Sequence, residues 1–480
     1  MEIIVKYDKI FSKRNIDMQK LFDEVGFLDK RCYDKFGLSE DILMEHAADG
    51  MADFIRSKFP RNSKIIVVCG SGNNGADGIV LSRLLVGDYD VYAFYVKSLN
   101  SEMAKLQQKR AYAIGVKTTI ELNECDVVVD AVFGTGFNGS LDYEEKAVMQ
   151  TINNLDAYKI ACDVPSGLQS SGECDENIFV ADVSLTMGAL KKSMYADNAK
   201  AYVGEIIVLD LGVTRGVYEV ASNWNLLDLE DLELPYRSKK DSHKGSYGHL
   251  ALACGDKLGA STLSAKAALR FGSGLVTLVG SKKIKMPNTI MHASRLPANT
   301  TALALGMGLG DEFTQEELES FLDNSLPLIA DADIFHMNII SSILKRDNIV
   351  LTPHPKEFVA LLKHTKLSDI SVKELQKNRF KYVELFCTKY PNAVLLLKGA
   401  NVVIGLDNKF FVNPHGTSVL AKGGSGDVLS GLIASLLAQG FHPLSAAKNA
   451  SLAHTKLALN YKGADFSLTP DDLIAGIGKL

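Results

Sequence analysis

The sequence has no C-x-x-C pair, although seven cysteines are scattered along its 480 residues. Several of these cysteines lie inside apolar runs such as IIVVCG and KIACDV. Isolated cysteines in such runs predict reduced thiols in a protein core, and they argue against a disulfide framework. We therefore expect a cytoplasmic protein.

Long apolar runs and clusters of positive charge are also missing. No apolar stretch is long enough to span a bilayer, and the N-terminal MEIIVKYDKIF is too short and too charged for a secretory signal. The net charge of −5 and the lack of a basic run argue against nucleic-acid binding. With 46% hydrophobic and 23% charged residues, a chain of this length is typical of a soluble globular protein with two or three domains.

The sequence does contain short, continuous Val/Ile/Leu runs that alternate with helical patterns. Such runs are typical of parallel strands that are covered on both faces. They form two series, which predict two α/β domains, residues 1–215 and 223–480. The segment between them has acids, then bases, and little strand signal. The first series is KIIVVCG, DVYAFYV, DVVVDAVFG, KIACDVPSG and EIIVLDLG, and the second is GHLALACGD, GLVTLVG, TALALGMG, LPLIADAD, IVLTPHP and AVLLLKG.

The loop after the first of these strands spells G-x-G-x-x-G over Gly70–Gly75. A dinucleotide fingerprint also needs an acid at the end of the next strand, and that strand ends in Lys97 and Ser98. The ordinary NAD interpretation is therefore weakened. A helix N-terminus that can hold a phosphate remains. The polar side chains that line it are Asn73, Asn74 and Asp77.

Two further strand ends in the first domain carry acids. Asp130 precedes a Gly-Thr-Gly loop, and Asp163 and Ser166 flank Pro165. Because parallel strands place their carboxyl ends at one sheet edge, these oxygens can meet and coordinate a cation. In the alternative interpretation, Asp130 and Asp163 cap helices and the glycines form turns. Because three strand ends of one sheet carry polar residues, the interpretation as a binding site is favoured.

Several strand ends of the second domain also carry candidate groups. His354 lies between two prolines that stiffen its loop, and Lys398–Asn401 can hold a nucleotide phosphate or ribose. Asp331 and Asp333 are candidates for contact with Mg²⁺ or substrate, and Gly306–Gly310 is a flexible loop.

The stretch LAKGGSGDVLSG carries the most informative acid, Asp427. Its glycines can direct backbone amides at a phosphoryl group, and the helix that follows adds its positive end. Asp427 can then accept a proton from an attacking hydroxyl, which predicts phosphoryl transfer to an alcohol. No Lys-Ser or Lys-Thr follows the glycines, so the loop is not a P-loop. The alternative is that Asp427 simply caps the helix.

These motifs together resemble a known family. GSGNNGADG, DAVFGTG and DVPSGL resemble the NAD(P)H-hydrate epimerase domain, which has a Rossmann-like fold. HKGSYGHL, DADIF, LTPHPKEF, LKGANVVI and GGSGDVLSGLIASLLAQG resemble the ADP/ATP-dependent NAD(P)H-hydrate dehydratase domain, which is ribokinase-like. Over nearly the whole chain, and in the same order, the sequence resembles bifunctional NAD(P)H-hydrate repair enzymes.

The resemblance implies two activities on damaged, hydrated NADH and NADPH. The first domain would interconvert the R and S hydrates with a bound K⁺. The second would use ADP or ATP, with Mg²⁺, to dehydrate the S hydrate to NAD(P)H and release phosphate. Membrane and nucleic-acid partners are not expected, whereas assembly into a homo-oligomer is.

The resemblance also implies site residues. The K⁺ ligands would be Asn74, Asp130 and Ser166. The first domain would bind the hydrate through Asn73, Asn74, Gly75, Ala76, Asp77, Gly134, Thr135, Gly136, Phe137, Asn138, Gly139, Ser140 and the catalytic Asp163. The second would bind it through Ala260, Gly308, His354 and the catalytic Asp427. The nucleotide would contact Lys398, Gly399, Ala400, Asn401, Val402 and Gly426.

One departure leaves the preference between ADP and ATP open, because Lys422 replaces the family's usual small hydroxyl residue before the paired glycines. Two other functions also stay open. One is a ribokinase-like kinase for a vitamin-precursor alcohol fused to a nucleotide-binding domain. The other is a non-catalytic nucleotide-binding or scaffolding role for the first domain.

Overall fold

A computed structural model describes residues 18–280 and 287–480 of the chain. The segment MEIIVKYDKIF, on which the prediction about a secretory signal depends, lies outside these residues. Within them, no helix combines the length and the apolar character that crossing a membrane requires.

The N-terminal half contains a wholly parallel sheet. Its strand order is β4-β3-β2-β5-β6-β7-β9, and every neighbouring pair is parallel, as the continuous apolar runs predict. The strands of this half are β1 Gln19–Phe22, β2 Lys64–Cys69, β3 Asp90–Tyr95, β4 Lys117–Thr118, β5 Val127–Ala131, β6 Tyr158–Cys162, β7 Val183–Met187, β8 Leu190–Lys191 and β9 Glu205–Leu209. Its helices are α1 Gly26–Phe36, α2 Glu40–Lys58, α3 Asn73–Leu85, α4 Glu102–Ile114, α5 Tyr143–Asn153 and α6 Arg215–Tyr218.

The C-terminal half is built on a larger sheet. Its strands are β10 Trp224–Leu226, β11 His249–Ala253, β12 Leu275–Val279, β13 Met291–Ala293, β14 Ala302–Leu305, β15 Leu328–Ala330, β16 Ile349–Leu351, β17 Ala393–Leu397, β18 Val402–Leu406 and β19 Lys409–Asn413. Its helices are α7 Leu258–Arg270, α8 Gln315–Ser320, α9 Ile340–Ile343, α10 Pro355–His364, α11 Val372–Lys377, α12 Arg379–Lys389, α13 Ser425–Ala438, α14 Pro443–Leu459 and α15 Pro470–Gly476. The two-domain α/β class predicted from the sequence is confirmed.

The larger sheet departs from the predicted parallel pattern at one side. It is parallel through β13-β12-β11-β14-β15-β16-β17, but β17, β18 and β19 pair antiparallel. Only two residues, Asp407 and Asn408, join β18 to β19, and a link this short can only form a hairpin. The six strands of the second predicted series, β11, β12 and β14 to β17, are parallel as predicted, and the antiparallel β18 and β19 lie outside that series.

The two halves share strands and core. β1 pairs antiparallel with β10 and parallel with β8, and β10 pairs with β19, so the sheet runs across the predicted boundary segment. β10 lies where the sequence showed little strand signal. One hydrophobic cluster includes Leu21 and Tyr195 from the N-terminal half and Phe380 and Val403 from the C-terminal half. Independent folding of residues 1–215 and 223–480 stays a prediction.

The cysteines are unpaired. Cys32, Cys69, Cys162, Cys254 and Cys387 are buried, and Cys125 and Cys174 are half-buried. The prediction of reduced core thiols is therefore confirmed for the first five. The other two lie at the edge of the core.

Candidate active sites

The N-terminal half has a cleft at the carboxyl ends of β2, β5 and β6, which are neighbours in its sheet. Its volume is about 380 Å³. The parallel topology therefore brings three of the loops predicted from the sequence to one place. The lining residues are Val25, Asp29, Tyr33, Glu40, Leu43, Met44, Ala47, Ser71, Gly72, Asn73, Asn74, Asp77, Val132, Phe133, Gly134, Thr135, Gly136, Phe137, Asp163, Met187, Leu211 and Tyr218.

The N-terminus of α3 forms one wall of this cleft. Gly75 packs so closely that a side chain there would meet the carbonyl oxygen of Gly70 at 2.0 Å. Asn73 donates a hydrogen bond of 2.5 Å to Glu40. Burial, with the nearby charges of Asp163 and other acids, raises the pKa of Asp77 well above its usual value. The protonated form of Asp77, which can donate a hydrogen bond, is therefore favoured relative to an exposed aspartate.

Asp163 is held in the cleft by a strained backbone and three donors. Its φ of +73° is left-handed, a conformation that costs a non-glycine residue about 1–3 kcal/mol and is concentrated at functional sites. Lys191, itself fully buried, forms an ion pair with Asp163. Thr186 and the backbone amide of Met187 donate to the same carboxylate oxygen at 3.2 and 3.1 Å. The other oxygen faces Gly134.

Of the three predicted K⁺ ligands, Ser166 and Asp130 contact each other. Ser166 donates to Asp130 from its hydroxyl at 2.6 Å and from its amide at 2.7 Å, and the amide of Val132 adds a third bond. Burial nevertheless raises the pKa of Asp130 to about 6. The buried side-chain nitrogen of Asn74 has no hydrogen-bond partner in the described structure. The side-chain oxygen of Asn74 lies beside Gly134, 3.5 Å from where a side chain on Gly134 would begin.

Some predicted residues are not part of the lining of the cleft. Gly75 and Ala76 are buried beneath its wall, where only their backbone can act. Asn138, Gly139 and Ser140 are exposed and are not part of its lining. Sequence reasoning also missed Lys191, Asp29 and Tyr218. The Tyr218 hydroxyl donates to Asp29 at 2.7 Å. Neither the spacing nor the local pattern of these residues signals a site, because the fold alone joins them.

In the C-terminal half, Asp427 lies in the first turn of α13, as the glycine-rich motif predicts. Burial, with the charge of Asp331, raises the pKa of Asp427 to about 6. Lys398 lies beside the same helix start, with its ammonium 3.7 Å from where a side chain on Gly426 would begin. A carboxyl group with a pKa near neutrality, next to a cation and helix amides, suits proton acceptance during phosphoryl transfer.

Lys398 is held by two acids, one directly after β15 and one in the first turn of α10. It donates to Asp331 at 2.9 Å and lies 3.8 Å from Glu357. Burial alone lowers the pKa of Lys398, but these carboxylates outweigh it and the pKa is raised. Asp331 also accepts a bond of 2.6 Å from Ser430 of α13. The strand ends of β15, β16 and β17 therefore meet the start of α13 through this cluster.

His354 is the N-terminal cap of α10. Its Nδ1 accepts bonds from the amides of Lys356 and Glu357, and its own amide donates to Glu357. Its Nε2 lies 3.3 Å from Glu357 Oε1. Nδ1 is thus used in capping the helix, while the half-exposed ring remains available to a ligand. Elsewhere in this half, Gly308 adjoins Ala260, because a side chain on Gly308 would meet the Ala260 Cβ at 3.1 Å.

The predicted nucleotide loop has an exposed face and a buried face. Gly399 and Ala400 are exposed, whereas Asn401 and Val402 are buried. Asn401 is fixed by residues of the N-terminal half. Lys422, the departure noted in the sequence, donates to the carbonyl oxygen of Phe466 at 2.8 Å.

Each α/β half has a carboxylate beside a helix N-terminus, at the carboxyl ends of its strands. This arrangement is that of an enzyme with two active sites. Two family models match the chain. One, described as the YjeF-related protein N-terminus, matches residues 40–193, and one, described as NAD(P)H-hydrate dehydratase, matches residues 250–478.

Relatives match almost the whole chain. The bifunctional NAD(P)H-hydrate repair enzyme Nnr of Helicobacter pylori is 41% identical, over 96% of this chain and 100% of the relative. Nnr of Coxiella burnetii is 33% identical, over 88% and 90%. The chain therefore belongs to the family of bifunctional NAD(P)H-hydrate repair enzymes. A crystal structure of the Bacillus subtilis ADP/ATP-dependent NAD(P)H-hydrate dehydratase with ATP/Mg²⁺ covers 51% of this chain and 92% of that chain, at 28% identity and a TM-score of 0.43.

Proposed function

We propose that this protein repairs hydrated NADH and NADPH at two sites. The N-terminal half interconverts the R and S hydrates, and the C-terminal half dehydrates the S hydrate with ADP or ATP. Membership of the repair-enzyme family, across both halves of the chain, is the observation that carries this proposal. The acids at both sites supply chemistry of the kind these reactions need.

Dehydration requires the hydroxyl of the hydrate to become a leaving group. Asp427 accepts the hydroxyl proton as the oxygen attacks the terminal phosphorus of the nucleotide, and the bond from that phosphorus to the nucleotide's bridging oxygen breaks. The bond between the ring carbon and the phosphate oxygen then breaks, and phosphate leaves with the electron pair. The neighbouring carbon loses a proton, and the double bond of the ring forms again. The products are NAD(P)H, phosphate, and AMP from ADP or ADP from ATP.

The geometry around Asp427 suits this step. Lys398 and the first amides of α13 would stabilise the charge that develops on the transferred phosphoryl group. Gly399 and Ala400, which are exposed, would contact the nucleotide. Among the described residues no group of three or more His, Cys, Asp or Glu side chains forms a metal cage. Mg²⁺ would therefore be held chiefly by the nucleotide's own phosphates, where it neutralises their charge.

In the epimerase site, Asp163 is the candidate proton carrier. Its ion pair with Lys191 fixes one oxygen, and the oxygen that faces Gly134 remains directed at the cleft. The α3 amides can hold the substrate's phosphate, beside the buried Asp77. These placements let Asp163 act on the hydrated ring while the rest of the substrate is anchored.

The residues around Asp130 fit a monovalent cation. This carboxylate is fully buried and no cationic side chain contributes to its pKa. A buried carboxylate without a cation is costly, and K⁺ would remove that cost. Ser166 and Asn74 would complete the ligands from neighbouring loops through their side-chain oxygens. Assembly into a homo-oligomer and a cytoplasmic location remain further proposals.

The direct test mixes the purified S hydrate of NADH with the protein and either ADP or ATP. The expected result is growth of the absorbance of reduced nicotinamide together with release of one phosphate for each molecule repaired. A kinase would instead accumulate a stable phosphorylated alcohol. Failure of both nucleotides to restore NADH would refute the dehydratase assignment.

A further inference from the structure

Lys200 is a lysine of the N-terminal half whose ammonium is enclosed by oxygens of the C-terminal half. Four oxygens lie within 2.9 Å of its Nζ. No carboxylate in the described structure pairs with it. The four oxygens are the carbonyls of Ala400, Pro414 and Gly416 and the side-chain oxygen of Asn401, at 2.9, 2.7, 2.7 and 2.8 Å.

This arrangement is that of a cation site. A neutral amine has two N–H groups and an ammonium has three, so a cage made only of acceptors selects the charged form. Burial lowers the pKa of Lys200 to about 8, which still leaves it mainly charged at neutral pH. The four distances are ordinary lengths for hydrogen bonds from an ammonium. Four neutral oxygens without a carboxylate match a single positive charge, a role that the ammonium fills.

The cage joins two loops that flank the proposed nucleotide site. One is residues 398–402 and the other is residues 413–417. They touch closely, because a side chain on Gly416 would lie 2.3 Å from the Ala400 carbonyl oxygen. Each loop directs carbonyl oxygens at Lys200, and these oxygens would repel one another without a cation between them. The positive charge of Lys200 thus offsets the repulsion between these oxygens and holds the two loops together.

Asp197, three residues before Lys200, holds the loop of residues 398–402 on its buried face. Asp197 accepts from the Asn401 amide at 2.9 Å and forms an ion pair with the buried Arg379. The side-chain nitrogen of Asn401 donates to the Tyr195 carbonyl oxygen at 2.9 Å. The buried face of the loop is therefore set by residues 195–200, while Gly399 and Ala400 remain exposed to a ligand.

We propose that Lys200 is a positioning residue for nucleotide binding, acting as a built-in monovalent cation that the epimerase half supplies to the dehydratase half. The proposal rests on the proposed function, because residues 398–402 are taken as the nucleotide loop. It makes the shape of one active site depend on a side chain from the other half.

The test compares Lys200→Met with the wild-type full-length protein. Methionine keeps the unbranched, apolar part of the side chain but removes the ammonium, with its charge and its hydrogen bonds, and so leaves the cage empty. The measurements are the KM for ADP and for ATP in dehydration of the S hydrate, and ADP binding by calorimetry, in sodium, potassium or ammonium chloride. The matched control is Lys377→Met, which removes a different lysine contact between the halves, the ion pair of Lys377 with Glu173.

We expect Lys200→Met to raise the KM and the Kd for nucleotide roughly 10- to 100-fold in sodium chloride, because the charge-assisted hydrogen bonds of the ammonium are lost. Potassium or ammonium ions should recover much of this loss by entering the emptied cage. Wild-type nucleotide binding and that of Lys377→Met should not respond to the cation. Epimerisation should be normal in both variants, which shows that the fold is intact.

Three results would overturn the proposal: normal nucleotide affinity in Lys200→Met, an equal loss in Lys377→Met, or a loss that no monovalent cation reverses. If Lys200→Met does not fold, Lys200→Gln, which retains polarity without charge, is judged by the same three criteria. An inactive wild-type protein would instead refute the proposed function, so the two failures are distinguishable.

Discussion

At the residue scale, two carboxylates have pKa values raised to about 6 by burial, Asp427 and Asp130. Their surroundings differ. Asp427 lies near Lys398 and a helix start, where a base can act on a substrate, whereas Asp130 is sealed among amides and a hydroxyl. The same shift therefore supports a catalytic base in one case and a cation ligand in the other.

Replacing Asp427 with Asn keeps its shape and removes the base. General acid–base catalysis contributes about 10²- to 10⁴-fold, so dehydration should fall by that order. Epimerisation should be unchanged, because it takes place in the other half. Wild-type dehydration should also decline as the pH falls through about 6, where Asp427 becomes protonated.

The assay follows absorbance of reduced nicotinamide across pH. The matched control is Asp369→Asn, which alters an exposed acid paired with Lys363 and should leave both activities normal. Dehydration within a factor of a few of wild type in Asp427→Asn would remove Asp427 from the mechanism.

Asp130 predicts a cation effect on stability. With its pKa raised from 3.8 to about 6, the folded chain holds this proton more tightly than the unfolded chain. Without a bound cation, stability therefore rises as the pH falls from about 6 toward 3.8. A cation needs the ionised carboxylate, so stabilisation by K⁺ should be present above pH 6 and disappear as the pH falls through that value.

Thermal unfolding in potassium and in sodium chloride, at pH 8 and at pH 5, measures this difference. K⁺ should raise the Tm at pH 8 only, and Asp130→Asn should abolish the difference at both values. Asp156→Asn, at an exposed acid, serves as the control and should retain it. A K⁺ effect of the same size in Asp130→Asn would place the ion elsewhere.

At the element scale, the strands that could be predicted are those with continuous apolar runs, such as β2 and β5. β7 escaped prediction because its buried Ser184 and Thr186 interrupt the apolar pattern. Their hydroxyls are satisfied by the Val203 carbonyl and by Asp163. The β18–β19 hairpin was missed for a different reason, because its two-residue turn was not recognised as a hairpin link.

The site could be predicted as a set of strand ends but not as a set of contacts. Asp163 and Asp427 follow directly from motifs at strand and helix ends. The partners Lys191 and Lys200 could not be found this way, because only the tertiary fold brings them to Asp163 and to the nucleotide loop. Nothing in their local sequence distinguishes them from surface lysines.

The glycine turn before α13 allows an element-scale prediction. Gly424 has a φ of +89°, and a side chain there would meet Pro470 at 2.7 Å, whereas Gly423 faces open space. Gly424→Ala should destabilise the fold by about 1–3 kcal/mol and impair dehydration by moving the start of α13. Gly423→Ala should stay within about 0.5 kcal/mol of wild type. Urea unfolding of the two variants measures the difference, and equal free energies of unfolding would contradict the strained turn.

At the scale of the whole molecule, the halves are joined by more than a linker. β1 and β10 extend the larger sheet, and Lys200 and Asp197 reach the loop at Asn401. The tertiary interface therefore belongs to the description of the dehydratase site.

A fragment that begins at Asn223 tests this dependence. It should fold and dehydrate the S hydrate, because β10 to β19 and Asp427 lie inside it. It should, however, have a lower Tm than the full chain and bind ADP more weakly, since β1, Asp197 and Lys200 are removed. Thermal unfolding and ADP titration check both effects. A fragment that matches the full chain in Tm and ADP affinity would show that the interface contributes nothing to the site.

The central claim is that one chain carries both repair activities, and the R hydrate tests it most directly. The R hydrate of NADH is incubated with ATP or ADP and the protein, and recovery of NADH is compared with an enzyme-free sample. The wild-type protein should restore NADH completely. Asp163→Ala should slow recovery to the rate of uncatalysed epimerisation, and Asp427→Asn should yield both hydrates but little NADH. Recovery from the R hydrate at the wild-type rate by Asp163→Ala, or failure of the wild-type protein to restore any NADH, would contradict the account.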